Sequence, residues 1–280
     1  MHTRDPSVLR EKAERLRALH RPGRPLVLVN VWDCATARIL EESGAPAIAT
    51  TSAGIAFAYG YPDGQKIPPE RMLEAVARTC GSVRVPVTAD LEAGYGNSPE
   101  ELHRTAAGML DAGAVGLNLE DHVGEPEDPL VPLSLQLEKI RAVREAGERS
   151  GVPIVINART DSYLRGLGSK DEMFAETLRR GEAYRGAGAD CIFVPGLTDP
   201  AVIGDVVRRL GCPVNVLAVA GSPPIPELAR LGVARVSLGS GPMRATLSLL
   251  RRLADELAKS GTYSALEGIV PHASVNTLMR

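Results

Sequence analysis

What this 280-residue chain lacks narrows its function first. It has no C-x-x-C pair and no histidine at zinc-finger spacing, so Cys34, Cys80, Cys191 and Cys212 read as reduced thiols, with Cys34 and Cys191 as apolar filler. It has no surplus of either charge: 32 Lys and Arg against 34 Asp and Glu leave a net charge of -2, which argues against nucleic acid or an anionic membrane surface as the main partner. No apolar run reaches membrane-spanning length, and the start, with His2, Arg4 and Asp5 ahead of a charged helical stretch, does not read as a signal peptide. A cytoplasmic protein is expected. No G-x-G-x-x-G follows an early strand, which counts against a doubly wound nucleotide-binding sheet. No repeat boundary or low-complexity linker divides the chain.

What is present has ordinary globular proportions, with 44% hydrophobic and 24% charged residues. The pattern predicts a helix over 7–20 capped by Ser7, then eight short apolar strands, each followed by a helix. The strands are expected at 26–31, 47–50, 85–88, 115–119, 153–158, 190–194, 213–217 and 235–238. Such alternation implies parallel β-α-β units, and eight of them close naturally into an α/β (β/α)8 TIM barrel. One domain over 1–280 is expected, with 243–280 as a C-terminal helical extension. The stretch from T-T-S-A-G through Y-G-Y-P-D-G reads as a long functional loop after the second strand.

The chain is organised around V-P-V-T-A-D-L-E-A-G-Y-G, residues 85–96. Asp90 and Glu92 stand two apart at the end of a strand, so alternation aims both carboxylates at one point. About thirty residues on, the next strand ends in Glu120-Asp121. Converging hard oxygens favour Mg²⁺, with Mn²⁺ as the alternative. The other carboxyl-end residues are Trp32-Asp33, Thr50-Thr51-Ser52, His122, Arg159 and Asp161, Pro195-Gly196, Asn215 and Gly239-Ser240-Gly241. An arginine that grips a carboxylate beside a carboxylate-held divalent ion describes a site for a small 2-oxo or 2-hydroxy acid passing through an enolate. Each residue also has a plainer reading. Paired acids cap helices or form salt bridges, Arg159 neutralises them, the hydroxyls satisfy loop backbone, His122 sits on a surface loop, Trp32 packs, and the glycine-rich loop alone is a weak signal for an anion site.

These residues, in this order, resemble the isocitrate lyase and phosphoenolpyruvate mutase superfamily. The likeness rests on V-N-V-W-D-C-A-T-A-R, T-T-S-A-G with Y-G-Y-P-D-G, A-D-L-E-A-G-Y-G-N, L-N-L-E-D and I-N-A-R-T-D-S-Y. It implies a Mg²⁺-dependent barrel that acts on C–C or P–C bonds next to a carboxylate. By that resemblance Asp90 is the direct metal ligand, with Glu92 and Glu120 binding through water. Asp63 is the acid of the loop that reaches over the site, and Arg159 is the substrate-carboxylate arginine. Thr51 and Ser52 belong to the loop that holds a second carboxylate or phosphonate, and Trp32 and Asn215 join them as substrate-binding candidates. The last helices resemble a segment that packs against or swaps with a neighbouring subunit, which implies a homodimer or homotetramer.

The departures concern the reaction. Lyases of the superfamily carry K-[KR]-C-G-H after the fourth strand, where this chain reads H-V-G-E-P-E-D-P-L with neither cysteine nor lysine. The mutases' E-D-K and later K-x-N-S are missing too. The first expectation is therefore a lyase that cleaves a C–C bond of a small 2-hydroxy or 2-oxo acid, of the methylisocitrate lyase or oxaloacetate decarboxylase kind. His122 is the nearest substitute for the missing cysteine, with Tyr95 or a metal-bound water behind it. P–C mutase or hydrolase chemistry is the second reading, and a catalytically silent metabolite-binding barrel is the third.

Overall fold

The computed structural model describes residues 5–123 and 129–280. Its described strands form one parallel sheet in the order β1-β9-β8-β7-β6-β5-β4-β3-β2. They are β1 (Leu26–Leu28), β2 (Asn30–Val31), β3 (Ile48–Thr50), β4 (Val87–Asp90), β5 (Gly116–Glu120), β6 (Val155–Arg159), β7 (Cys191–Val194), β8 (Val214–Leu217) and β9 (Arg235–Ser237). The expected first strand is broken at Val29, and its two pieces serve opposite neighbours. Leu26 to Leu28 pair with Arg235 to Ser237, while Asn30 and Val31 pair with Ala49 and Thr50. The nine segments thus make the eight staves of the expected barrel.

Asn30 stitches this seam with its side chain. Its amide donates to the Thr50 carbonyl at 2.8 Å, and its Oδ1 accepts from the backbone N–H of Leu238 and Gly239 at 2.9 and 2.8 Å. Backbone groups that a continuous ladder would have paired are satisfied this way. Apart from the tip of Arg159, every residue of β3 to β7 is buried, as expected for strands covered on both faces.

The helices follow the strands. Those carrying the argument are α1 (Pro6–Ala18), α2 (Cys34–Glu42), α3 (Ser52–Ala58), α4 (Pro69–Ser82), α5 (Pro99–Ala112), α6 (Leu133–Ser150) and α7 (Lys170–Gly186). After them come α8 (Pro200–Leu210), α9 (Ile225–Arg230), α10 (Gly241–Ser260) and α11 (His272–Leu278). Helix α1 is capped by Asp5, not Ser7: the Asp5 carboxylate accepts from the Ser7 backbone at 2.9 Å and from its hydroxyl at 2.7 Å. An acid outcompetes a hydroxyl because it is a charged acceptor at the positive end of the helix. Leu9, Ala13 and Leu16 of α1 are buried, and Arg17 reaches the carbonyls of Pro153 and Ile154 at the start of β6. Leu16 comes so close that a Cβ at Gly116 would lie 2.9 Å from its Cδ2, which explains the glycine that opens β5.

Two local expectations need correction. T-T-S-A-G is the start of helix α3, not loop, with Thr51 Oγ1 accepting from the Gly54 N–H at 3.3 Å as its cap. Its residues are small and buried nearly all round, so no amphipathic period advertises the helix. A Cβ on Gly54 would stand 3.1 Å from Trp32 Cβ, so the glycine lets α3 pack on the tryptophan. The second correction concerns the carboxyl end of β4. The strand stops at Asp90, and Glu92 lies beyond it at φ +52°, in the left-handed region. Glu92 is therefore delivered by a turn and not by strand alternation.

At the other end of the chain, α10 runs for twenty residues yet buries Met243 alone. A 3-10 turn (Ser264–Leu266) is pinned to it by Glu256, which accepts from the Ser264 N–H at 2.7 Å, and Arg38 of α2 contacts the carbonyl of Leu278 at the end of α11.

Candidate active site

The acids gather where the strands end. Asp90 is held from every side the structure describes. Its Oδ2 accepts from the Ser52 N–H at 3.0 Å and the Ser52 hydroxyl at 2.8 Å, its Oδ1 accepts from Asn118 Nδ2 at 3.3 Å, and its own N–H donates to Thr50 Oγ1 at 2.9 Å. Ser52 and Thr50 thus orient the carboxylate, while Thr51 spends its hydroxyl on the α3 cap.

Glu92 sits in a cluster of strain. Gln65, Glu92 and Tyr95 are the three non-glycine residues with positive φ among the described residues, and they bond to one another. The Tyr95 hydroxyl donates to Glu92 Oε1 at 2.9 Å, the Tyr95 N–H donates to Gln65 Oε1 at 2.7 Å, and the Gln65 N–H contacts Glu92 Oε2. A left-handed non-glycine residue costs roughly 1–2 kcal/mol, so three in contact mark a place where the surrounding structure over-determines the backbone. Burial, then the Asp90 charge, push the Glu92 carboxyl up to about 7.

Glu120 and Arg159 face each other across β5 and β6, whose register pairs the two residues. Arg159 Nη1 meets Glu120 Oε2 at 2.5 Å, while Nε and Nη2 take both oxygens of Asp161 at 2.6 and 2.8 Å. The Phe193 ring lies 5.9 Å beneath the guanidinium. Burial raises the Glu120 carboxyl well above its ordinary value, Arg159 works against that, and Asp161, Asp90 and Glu92 add to the rise. The neutralising role weighed for Arg159 is thus what the ligand-free geometry displays.

Asp63, on the turn after α3, keeps part of its side chain in solvent. Its carboxyl is raised by burial and then by Asp90.

Other candidates fall elsewhere. His122 is buried, not on the surface as read from its loop, and its Nε2 lies 3.2 Å from Arg165 Nη2. It lies two residues beyond the end of β5, covered by the structure around it. Asp121, just past the end of β5, has partners other than those of Glu120. Its Oδ2 accepts from Tyr184 at 2.6 Å and Arg180 at 3.2 Å, and its Oδ1 accepts from the Asp161 N–H at 2.9 Å. Asn215 lies inside the barrel below the acids, with both amide atoms on Ser237 Oγ at 3.1 and 3.3 Å. Trp32 packs under α3. Gly239 leads into a cavity of about 780 Å³ lined by Ser240, Gly241, Arg244 and Leu217 at the ends of β8 and β9. Most of the acid- and proline-rich loop after β5, residues 124–128, lies outside the described residues.

Sequence reasoning missed Asn118, the side chain that donates to Asp90, and the Arg180–Tyr184 pair that secures Asp121. Asn118 carried a signal: a polar residue within the apolar run Val115 to Leu119, two before Glu120, must face the barrel interior.

Whether these residues suit a divalent cation is decided by charge and donor type. Asp63, Asp90, Glu92, Glu120 and Asp161 gather around Arg159, and the Asp63, Glu92 and Glu120 carboxyls hold protons more tightly than usual. That excess of hard anionic oxygen fits a hard cation. Among the described residues no three His, Cys, Asp or Glu side chains are grouped to hold a metal ion directly. Mg²⁺ commonly takes one or two carboxylates and keeps several waters, so the set fits with Asp90 as the inner ligand.

A parallel barrel with acids at its carboxyl ends defines a class, and comparison with known proteins narrows it. Residues 16–258 match the family model for phosphoenolpyruvate phosphomutase, and the chain belongs to that family. An uncharacterized Mycobacterium tuberculosis (strain ATCC 25618 / H37Rv) protein is 34% identical, over 89% of this chain and 93% of its own. The oxaloacetate decarboxylase of Pseudomonas putida (strain GB-1) is 30% identical over 85% and 83%, and the 2-methylisocitrate lyase of Escherichia coli K12 is 26% identical over 84% and 82%. Among solved structures, a Burkholderia cenocepacia J2315 protein provisionally described as a lyase/mutase superposes with a TM-score of 0.88 at 39% identity, covering 97% of this chain and 96% of that one. Phosphonopyruvate hydrolase in complex with oxalate and Mg²⁺ follows at 0.81 and 25%, covering 95% and 94%. The fold and the family expected from the motifs are thereby established. The relatives with a named activity include a lyase, a decarboxylase and a phosphonopyruvate hydrolase. No described helix is long and apolar enough to cross a membrane.

Proposed function

We propose that this protein is a Mg²⁺-dependent lyase that cleaves a C–C bond of a small 2-hydroxy or 2-oxo carboxylic acid through an enolate. The observation that carries this is the clamped Asp90 at the centre of a carboxylate excess, in a chain whose relatives include a 2-methylisocitrate lyase and an oxaloacetate decarboxylase. Asp90 would hold the ion directly, with Glu92 and Glu120 reaching it through water. Mn²⁺ would suit the same oxygens. Such an ion supplies a Lewis acid for the substrate oxygen on which charge develops, usually the dominant catalytic effect.

The chain's own side chains do the rest. Arg159 presents a planar donor fork to a substrate carboxylate, which would replace part of its present pairing with Glu120 and Asp161. The N-terminal part of α3, with Thr51 and Ser52, holds a second acidic group, while Trp32 packs beneath the helix and Asn215, whose amide is spent on Ser237, takes no part. Asp63 brings a carboxyl of raised affinity for protons over the site. For proton transfer His122 is the first candidate and Tyr95, whose hydroxyl already donates to Glu92, the second.

A second reading is P–C bond chemistry, favoured by the likeness to phosphonopyruvate hydrolase. Metal-free protein, a panel of 2-oxo and 2-hydroxy acids with added Mg²⁺, and phosphonopyruvate followed by phosphorus NMR separate the two. Magnesium-dependent loss of a C–C substrate supports the first reading, and phosphate release supports the second. Binding of Mg²⁺ and oxalate without turnover would leave a metabolite-binding barrel.

The segment 243–280 serves in oligomer contacts in this proposal. It exposes Leu247, Leu250, Leu257, Ile269 and Val270, an apolar set that a solitary chain would leave in water. A homodimer or homotetramer is expected from light scattering, and a monomer would count against it.

A further inference from the structure

We propose that Arg235 is a positioning residue for Asp90, acting through Asn118; this rests on the reading of Asp90 as the inner metal ligand. Arg235 is the largest side chain fully enclosed in the protein, at 1% exposure. Among the described residues it forms no ion pair. Its Nε donates to Ser237 Oγ at 3.3 Å, its Nη2 donates to Asn118 Oδ1 at 3.4 Å, and its Nη1 has no partner. A buried guanidinium without a carboxylate is costly, so its retention inside the barrel calls for another role.

The role follows from what Asn118 receives. Its Oδ1 takes two donors from below, Arg235 Nη2 and, at 2.7 Å, Asn157 Nδ2. An amide has an accepting and a donating end, so two donors on one end fix its orientation and turn Nδ2 toward Asp90 Oδ1 at 3.3 Å. Reversing the amide would place its carbonyl against the carboxylate and its NH₂ against two donors. Ser52 holds Asp90 Oδ2, and the Asn118 amide holds Oδ1. The strands impose the geometry: Asn118 is Asp90's partner on β5, and Arg235 reaches across the interior from β9. A lysine could not span from Ser237 to Asn118 with one planar fork.

The sign of the effect distinguishes positioning from charge. A buried positive charge repels a divalent cation, so on charge alone its loss would tighten metal binding. Positioning predicts the opposite.

The test is Mn²⁺ affinity without substrate, read from the electron paramagnetic resonance of the free ion, for wild type, Arg235→Met, Asn118→Ala and the double variant, with circular dichroism confirming the fold. Arg235→Met is expected to weaken binding by about tenfold or more, the usual cost of losing a group behind a metal ligand. In the Asn118→Ala background the same change should weaken binding no further. Should Arg235→Met not fold, Arg235→Lys, which keeps the charge but loses the fork, carries the same expectation at smaller size. Unchanged or tighter binding in the Arg235 variants, or a full further loss in the double variant, overturns the inference while leaving the metal reading intact. A wild-type protein that takes up no Mn²⁺ removes that reading and this inference with it.

Discussion

Glu120 and Asp121 are neighbours in sequence and occupy opposite worlds. Asp121 points outward into a closed network, where Tyr184, Arg180 and the Asp161 N–H satisfy both oxygens and Arg180 is shared with Glu176 at 2.6 Å. Glu120 points inward, where one contested arginine serves it and Asp161, and further acids crowd the same space. Burial raises the carboxyl of each. The outward set resembles a finished structural joint, while the inward set is left short of positive charge. A protein maintains such a shortage when something else is meant to supply the charge.

The widest split between the two sides should come from Asp90→Asn. Turnover is expected to fall by about a thousandfold or more, as when a main charge-stabilising group is removed, while the folded fraction stays near wild type. Activity that survives in a chelated sample of this variant would undo the assignment. On the outward side Asp121→Ala should do the reverse, costing about 1–3 kcal/mol in urea unfolding because the Tyr184 hydroxyl and the Arg180 guanidinium both lose a buried acceptor. A loss below 1 kcal/mol would mean the joint is not structural.

Glu92 sharpens the contrast through pH. Its carboxyl titrates near 7 in the folded chain against 4.5 ordinarily, so the folded state holds the proton more tightly. The metal-free protein is therefore most stable below about pH 4.5 with respect to this group, and that contribution drains away as pH rises toward 7. Glu92→Gln should reduce the slope and stabilise the metal-free protein at pH 8 by up to about 3 kcal/mol, measured by thermal unfolding at several pH values. An unaltered slope would place the titration elsewhere. The smallest effect is expected at the surface: Leu250→Glu should change the unfolding free energy by under about 0.5 kcal/mol yet lower the oligomer's mass in light scattering.

Much of this was legible in the residues. The alternation of apolar runs and capped helices located every stave, and Ser98-Pro99 with Gly113 marked the two ends of α5 as observed. The second helix boundary that mattered, the start of α3, was hidden because small buried residues carry no amphipathic period. Asp90 and Glu92 were found through a spacing rule that holds only within a strand; the turn at Glu92, stabilised by Gln65 and Tyr95, does that work instead. What the sequence could not reveal was anything built by distant strands meeting, such as the Asn30 seam or the reach of Arg235 to Asn118, since such contacts depend on closure of the barrel and leave no local pattern.

Calorimetric titration of metal-free protein with Mg²⁺, in two buffers of different protonation enthalpy at pH 7, addresses the central claim most directly. One ion should bind per chain with release of protons from the crowded carboxyls, and Asp90→Asn should abolish the heat. Absence of binding, or equal binding in that variant, would contradict the account.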